Sequence, residues 1–225
     1  MENYRAKLLE MGTASTAQFN DSILNSSHPS LGIKLPQLRA LGKRIAKEEG
    51  IEAINDIGDY YYEEVLLKGF VIAYSKLPLS DKKPYIDAYL AQASDWGSID
   101  CFVTSFKLKE KDKELMWQWC REYSTSSQPF VIRFALVEMI SDFLDDEHID
   151  EVLSITVNLE NEHYYVRMAQ AWLLATAYIN YEDKVYEILK ENKLDVFTHN
   201  KTIQKIRESY RISDEAKEKA IALRR

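Results

Sequence analysis

Apolar residues recur at three- and four-residue spacing along nearly the whole of this 225-residue chain, and that period leaves it little to fold into except helices. Side chains three and four apart share one face of an α-helix, whereas a half-buried strand alternates at every second residue. No segment alternates strictly between turn signals, so no strand is expected. Residues 130–144 (FVIRFALVEMISDFL) and 163–179 (HYYVRMAQAWLLATAYI) are apolar on most sides, and each reads as a central buried helix. In 60–76, Val65, Leu66, Gly69, Ile72 and Ala73 form one apolar face. Only 7 Gly and 5 Pro are present, so turns are few and elements are long.

Helix starts are legible. Pro36 sits where a first-turn proline is tolerated. Ser80 and Asp81 are placed to cap the helix containing Tyr85, Tyr89 and Leu90. Ser213, followed by Asp214 and Glu215, opens a last helix with Arg224 and Arg225 at its end. The pattern predicts helices over 2–11, 15–26, 36–48, 51–56, 60–76, 81–93, 97–107, 110–124, 129–144, 147–159, 163–180, 182–192, 198–211 and 214–224. Two to six residues join neighbours, which therefore run antiparallel. Pairs recur at about 35–40 residues, the period of HEAT-type arrays. The expected fold is all-α, a superhelix of antiparallel helix pairs forming one domain over residues 1–225; a compact globular bundle is the alternative.

Charge and motif content narrow the function. The formal net charge of −7 argues against nucleic acid if taken alone. Its distribution matters more, because phosphate binding needs only one basic face. Asp142 to Asp195 carries 13 acidic and 4 basic residues, whereas His199 to Arg225 carries 8 basic and 4 acidic. That C-terminal segment is a positive island on an acidic body, or simply a solvated helix pair. No run of about 18 apolar residues exists to span a membrane, and MENYRAKLLEMG lacks the features of a secretory signal. Cys101 and Cys120, the only cysteines, have no metal spacing and suit a reducing cytoplasm without disulfides. His28, His148, His163 and His199 do not pair at metal-ligand spacing, so no metal site is expected. Phosphate-loop and nucleophile-elbow motifs are absent.

One constellation points to chemistry. In DWGSIDCFVTSFK, Trp96 and Asp100 are four residues apart and share a helical face. An indole beside a carboxylate suits a cation. A second indole, Trp172, lies in YYVRMAQAWLLA. Arg133 interrupts an apolar run and must reach an acid, solvent or a phosphate. The plainer readings are a core Trp, a helix-capping Asp, and ion pairs of Arg133 with Asp142 or Glu138 and of Arg167 with Glu162 or Glu160. Trp117 and Trp119 read as core.

These segments resemble the DNA alkylation repair family, AlkD-like HEAT-repeat DNA glycosylases. The matching pieces are LGIKLPQLR (31–39), EEVLLKGFVIAY (63–74), DWGSIDCF (95–102), VIRFALVEMISDFL (131–144), YYVRMAQAWLLA (164–175) and NKTIQKIRESYRIS (200–213). Their order and spacing, rather than any one piece, carry the likeness. The resemblance implies a helical-repeat cleft that grips duplex DNA, and excision of positively charged bases such as 3-methyladenine and 7-methylguanine. No cofactor is expected, and the chain is expected to act as a monomer. By position it assigns Asp100 as the catalytic carboxylate, Trp96 and Trp172 as aromatic walls, and Arg133 as a basic residue near the DNA backbone. Arg133, Lys201, Lys205, Arg207 and Arg211 are expected to hold phosphate. Active members often carry Asp directly after the Trp, where this chain has Gly97, and an aromatic on an N-terminal helix near the position of Ile23. The alternatives are a DNA-binding relative that does not excise bases and a helical scaffold for protein partners.

Overall fold

The computed structural model describes residues 3–24 and 26–225. All the regular structure among them is helical. The helices expected over 2–11 and 15–26 each include one residue, Glu2 and Asn25, that lies outside the described residues. Packing divides the chain into two compact units, Met1–Leu115 and Met116–Arg225. No described helix is long and apolar enough to cross a membrane.

The first unit contains α1 (Tyr4–Met11), α2 (Ala14–Leu24), α3 (Leu35–Glu48), a 3₁₀ helix (Ile51–Asp56), α4 (Tyr62–Tyr74), α5 (Leu79–Gln92) and α6 (Trp96–Val103). α4 is its centre and packs against α1, α3, α5 and α6. The sequence pattern gave this helix one apolar face. In the structure every residue from Tyr62 to Ala73 except Lys68 is buried. Neighbours on all sides cover it, and even its acids are inside. Glu63 Oε1 and Oε2 accept from the backbone N–H groups of Gly32 (2.9 Å) and Leu31 (2.7 Å), and Oε1 also accepts from the Ser30 hydroxyl (2.8 Å). Glu64 pairs with Arg5 at 2.8 Å and accepts from the N–H groups of Tyr60 and Tyr61. Buried carboxylates persist when their lone pairs are met in this way. α3 approaches α4 closely at Gly42, where a Cβ would stand 2.6 Å from Phe70 Cβ.

The second unit takes in most of α7 (Lys113–Ser124), followed by α8 (Pro129–Asp142), α9 (Ile149–Asn158), α10 (Tyr164–Ala177), α11 (Glu182–Lys190), α12 (Val196–Glu208) and α13 (Asp214–Ile221). α8 packs on α10 and α10 on α12, each contact skipping the intervening helix. α9 and α11 cover α10, and α13 lies on α11 and α12. Alternate helices in contact are what stacked helix pairs produce. Leu153, Leu174, Tyr178, Val185, Leu189, Ile203 and Ile206 fill the space between the layers. Trp117 and Trp119 are buried as the sequence implied, at 3% and 5% exposure.

Pro36 falls in the first turn of α3, and Ser213 caps α13 by accepting from Ala216 N–H at 3.2 Å. The expected cap at Ser80–Asp81 is displaced: α5 starts at Leu79, which is buried, with Pro78 before it, so both residues lie within the first turn. α6 stops at Val103, short of the expected residue 107. There the hydroxyls of Thr104 and Ser105 turn back to the carbonyls of Asp100 (2.8 Å) and Cys101 (2.6 Å), an alternative to helix continuation that these side chains offer.

Candidate functional site

α6 carries Trp96 and Asp100, and the chain fixes this short helix at both ends. Asp95, fully buried, is its N-cap: Oδ1 accepts from Ser98 N–H at 2.7 Å, and Oδ2 accepts from the hydroxyls of Ser98 and Ser26, both at 2.9 Å. The capping role therefore falls to Asp95. Asp100, half-buried, stands in the second turn, one turn from half-buried Trp96. The Trp96 indole N–H donates to the Ile23 carbonyl at 3.1 Å and so fixes the ring against the end of α2. Phe19 and Ile23, one turn apart on α2, are 62% and 44% exposed, so an aromatic does occur on this N-terminal helix, one turn before the position the resemblance pointed to.

Gly97 explains how α2, α4 and α6 meet. A Cβ there would stand 2.6 Å from both Leu24 Cδ2 and the Tyr62 hydroxyl. No side chain fits without moving one of them, an acid included. At the other end, Arg39 from α3 reaches around the last turn: Nη1 donates to Ser105 Oγ and Nη2 to Thr104 Oγ1, both at 2.8 Å, and the guanidinium lies 5.1 Å from the Phe70 ring. The Tyr89 hydroxyl donates to the Ser98 carbonyl at 3.1 Å from beneath. Cys101, the neighbour of Asp100, is a free thiol pushed up to about 11, chiefly by burial; at neutral pH it stays protonated.

The other candidate residues belong to the second unit. Trp172 is half-buried on α10. Arg133, on α8, is only 5% exposed; its Nη1 donates to the Tyr165 carbonyl at 2.8 Å and its guanidinium lies 6.0 Å from the Tyr165 ring. It thus ties α8 to the first turn of α10. Pairing of Arg133 with Glu138 does not occur: both Glu138 carboxyl oxygens are buried without a hydrogen-bond partner among the described residues. Burial, reinforced by Asp142, pushes the Glu138 carboxyl well above the usual carboxylate range. Arg167 also takes a different partner from Glu160 or Glu162. It lies 3.7 Å from Asp195 and 4.6 Å from the Phe197 ring, because α12 packs on α10 and brings residues 195–197 within reach.

Of the other expected phosphate ligands, Lys201 and Lys205 are one turn apart on α12, both half-buried. Lys201 Nζ donates to Gln204 Oε1 at 2.7 Å. At 100° per residue, Arg207 lies ~200° around the helix from Lys205. It borders a groove of about 640 Å³ between α12 and α13, which Lys201 also lines, together with Val196, Phe197, Ile221 and Arg224. Arg211 is exposed beyond the end of α12. Among the described residues no group of three His, Cys, Asp or Glu is placed to hold a metal.

Reading the sequence alone missed Asp95 as the cap and Glu63 and Glu64 as the buried anchors of α4. All three sit at helix starts, where acids are favoured; that signal was present, and Ser98, Tyr60 and Tyr61 are local partners, but the remaining partners come from residues 5, 26 and 30–32, far off in sequence. Compared with known proteins, the chain matches one family model, described as DNA alkylation repair enzyme, over residues 4–209. That span covers α1 through α12. No curated protein matches the chain.

Proposed function

This chain belongs to the DNA alkylation repair enzyme family, and on that premise we propose that it is a DNA glycosylase hydrolysing the N-glycosidic bond of cationic N3- or N7-alkylated purines in duplex DNA. One observation carries the reading: Asp100 is half-exposed, one turn along α6 from an indole whose orientation is set by its bond to Ile23, on a helix held at both ends. Such rigidity suits a group that must meet charge developing at a fixed place.

The chemistry fits an acid beside an indole. Alkylation makes the purine a cationic leaving group, so it departs neutral with the electron pair of the glycosidic bond and needs no strong general acid. Positive charge passes to the deoxyribose. The Asp100 carboxylate stabilises it and orients the water that adds at the sugar carbon, leaving an abasic site and one proton. Trp96 walls the sugar and favours its cationic form; the family resemblance assigns Trp172 a like role. Arg133, deeply held, is a positioning residue for α10 and hence for Trp172. Lys201 and Lys205 hold phosphate, and Arg207 and Arg211 extend the positive field.

A second reading, DNA binding without excision, is favoured by Gly97, where the acid that active relatives often carry would fit only if Leu24 or Tyr62 moved. Release of 7-methylguanine from methylated duplex DNA separates the two. Asp100→Asn is expected to bind DNA as the wild type does while losing release on the order of a hundred- to a thousand-fold. Equal release by both proteins would remove Asp100 from the reaction. Salt-sensitive binding with no release by the wild type would favour the second reading.

A further inference from the structure

The first unit contains a cavity of about 230 Å³ where the end of α4, the start of α5 and the loop after α6 meet. At roughly 30 Å³ per water it has room for about eight. Four lysines line it, Lys76, Lys82, Lys107 and Lys109, against one carboxylate, Asp112. Lys76, Lys107 and Lys109 are exposed at its mouth, and none has an ion-pair or hydrogen-bond partner among the described residues. In a chain of net charge −7, three such cations around one opening are unexpected.

Lys82 forms the inner part. It is 6% exposed; its Nζ donates one hydrogen bond, to the Ala73 carbonyl at 2.9 Å, and lies 5.6 Å from the Phe106 ring. An ammonium has three N–H groups, so two remain for a ligand. Burial first, and then Lys109, lower this amine to about 8, while Asp112 acts the other way. An anion in the cavity would relieve both penalties.

We propose that this cavity binds a phosphate monoester. Four ammonium groups against one carboxylate leave an excess positive charge that a dianion offsets better than a monoanion, and lysine is well suited to phosphate as a point charge. A terminal phosphate can enter head-on to reach Lys82. A backbone diester, flanked by a sugar on each side, meets only the outer lysines. None of these residues takes part in the base-excision reading, so the two stand or fall separately.

Binding is measured on the full chain at constant ionic strength, with inorganic phosphate, glycerol 3-phosphate and a dinucleotide bearing either a 5′-phosphate or a 5′-hydroxyl. Saturable binding of inorganic phosphate is expected, with amide NMR shifts at Ser75, Ser105 and Lys107. The joint Lys107→Gln, Lys109→Gln variant alters only exposed side chains and should bind about tenfold more weakly; Lys82→Met should abolish binding. Equal affinity for glycerol 3-phosphate and the 5′-phosphorylated dinucleotide assigns the pocket to small phosphate esters, and preference for the dinucleotide assigns it to a DNA end. Equal binding of the two dinucleotides, absence of saturable binding, or binding unchanged in the double variant would each overturn the proposal.

Discussion

Replacing Glu138 with methionine is expected to stabilise the protein, and increasingly so as the pH rises. Glu138 is fully buried on α8, and neither carboxyl oxygen has a hydrogen-bond partner among the described residues. Two costs follow. The protonated carboxyl is a buried polar group without a partner, which typically costs about 1–3 kcal/mol. Its folded-state pKa is also raised well above the ordinary 4.5, first by burial and then by Asp142. Above pH 4.5 the unfolded chain releases this proton while the folded chain keeps it. Stability therefore falls by about 1.4 kcal/mol for each pH unit until the folded carboxyl itself ionises. A methionine of similar length removes both costs. The gap between Glu138→Met and wild type should be about 1–3 kcal/mol near pH 4 and widen steadily toward neutrality. Each kcal/mol corresponds to roughly 2–4 °C in melting temperature for a chain of this size. Urea and thermal unfolding of both proteins from pH 4 to pH 8 measure it. A gap that does not change with pH would refute the protonated-carboxyl argument, and a less stable variant would refute the burial argument.

Gly97→Ala should destabilise by about 1–3 kcal/mol in urea unfolding, because its Cβ displaces Leu24 or Tyr62; a neutral result would mean α2 and α6 are not tightly fitted. Arg5→Gln tests a carboxylate shifted the other way. Glu64 is held below 4.5, burial being outweighed by Arg5 and by the N–H groups of Tyr61 and Tyr60. The stability this contributes is present above pH 4.5 and disappears as pH falls through the folded pKa. The wild-type advantage over Arg5→Gln should thus be widest at neutral pH and close in acid, as followed by circular dichroism; a constant difference would assign the loss to packing alone.

The two carboxylates illustrate how far the sequence could be read. Glu63 and Glu64 occur in a helix whose existence was plain from the spacing of its apolar neighbours, yet nothing local says that residues 30–32 and Arg5 will cover them. The candidate site divides in the same way. The i, i+4 relation of Trp96 and Asp100 follows from helix geometry alone, whereas their half-exposure, the indole bond to Ile23 and the fit at Gly97 depend on α2 and α4 arriving beside α6. Arg133 and Arg167 were recognised as cations needing partners. Their partners proved to be a backbone carbonyl with a ring, and Asp195 with Phe197, supplied by helices next in the stack rather than next in the chain.

The sequence by itself determined that this protein is helical, about where each helix begins and ends, and which family's pattern it follows. Helix hydrogen bonds join residues four apart, and caps and prolines act within one turn, so those decisions are local. Only the tertiary structure decided that α4 is buried all round, that Ser26 joins Ser98 on the Asp95 carboxylate, that Glu138 has no hydrogen-bond partner among the described residues, and that four lysines share one cavity. Burial and electrostatic pairing are settled by which distant segments come together, and a one-dimensional pattern does not record the area each covers.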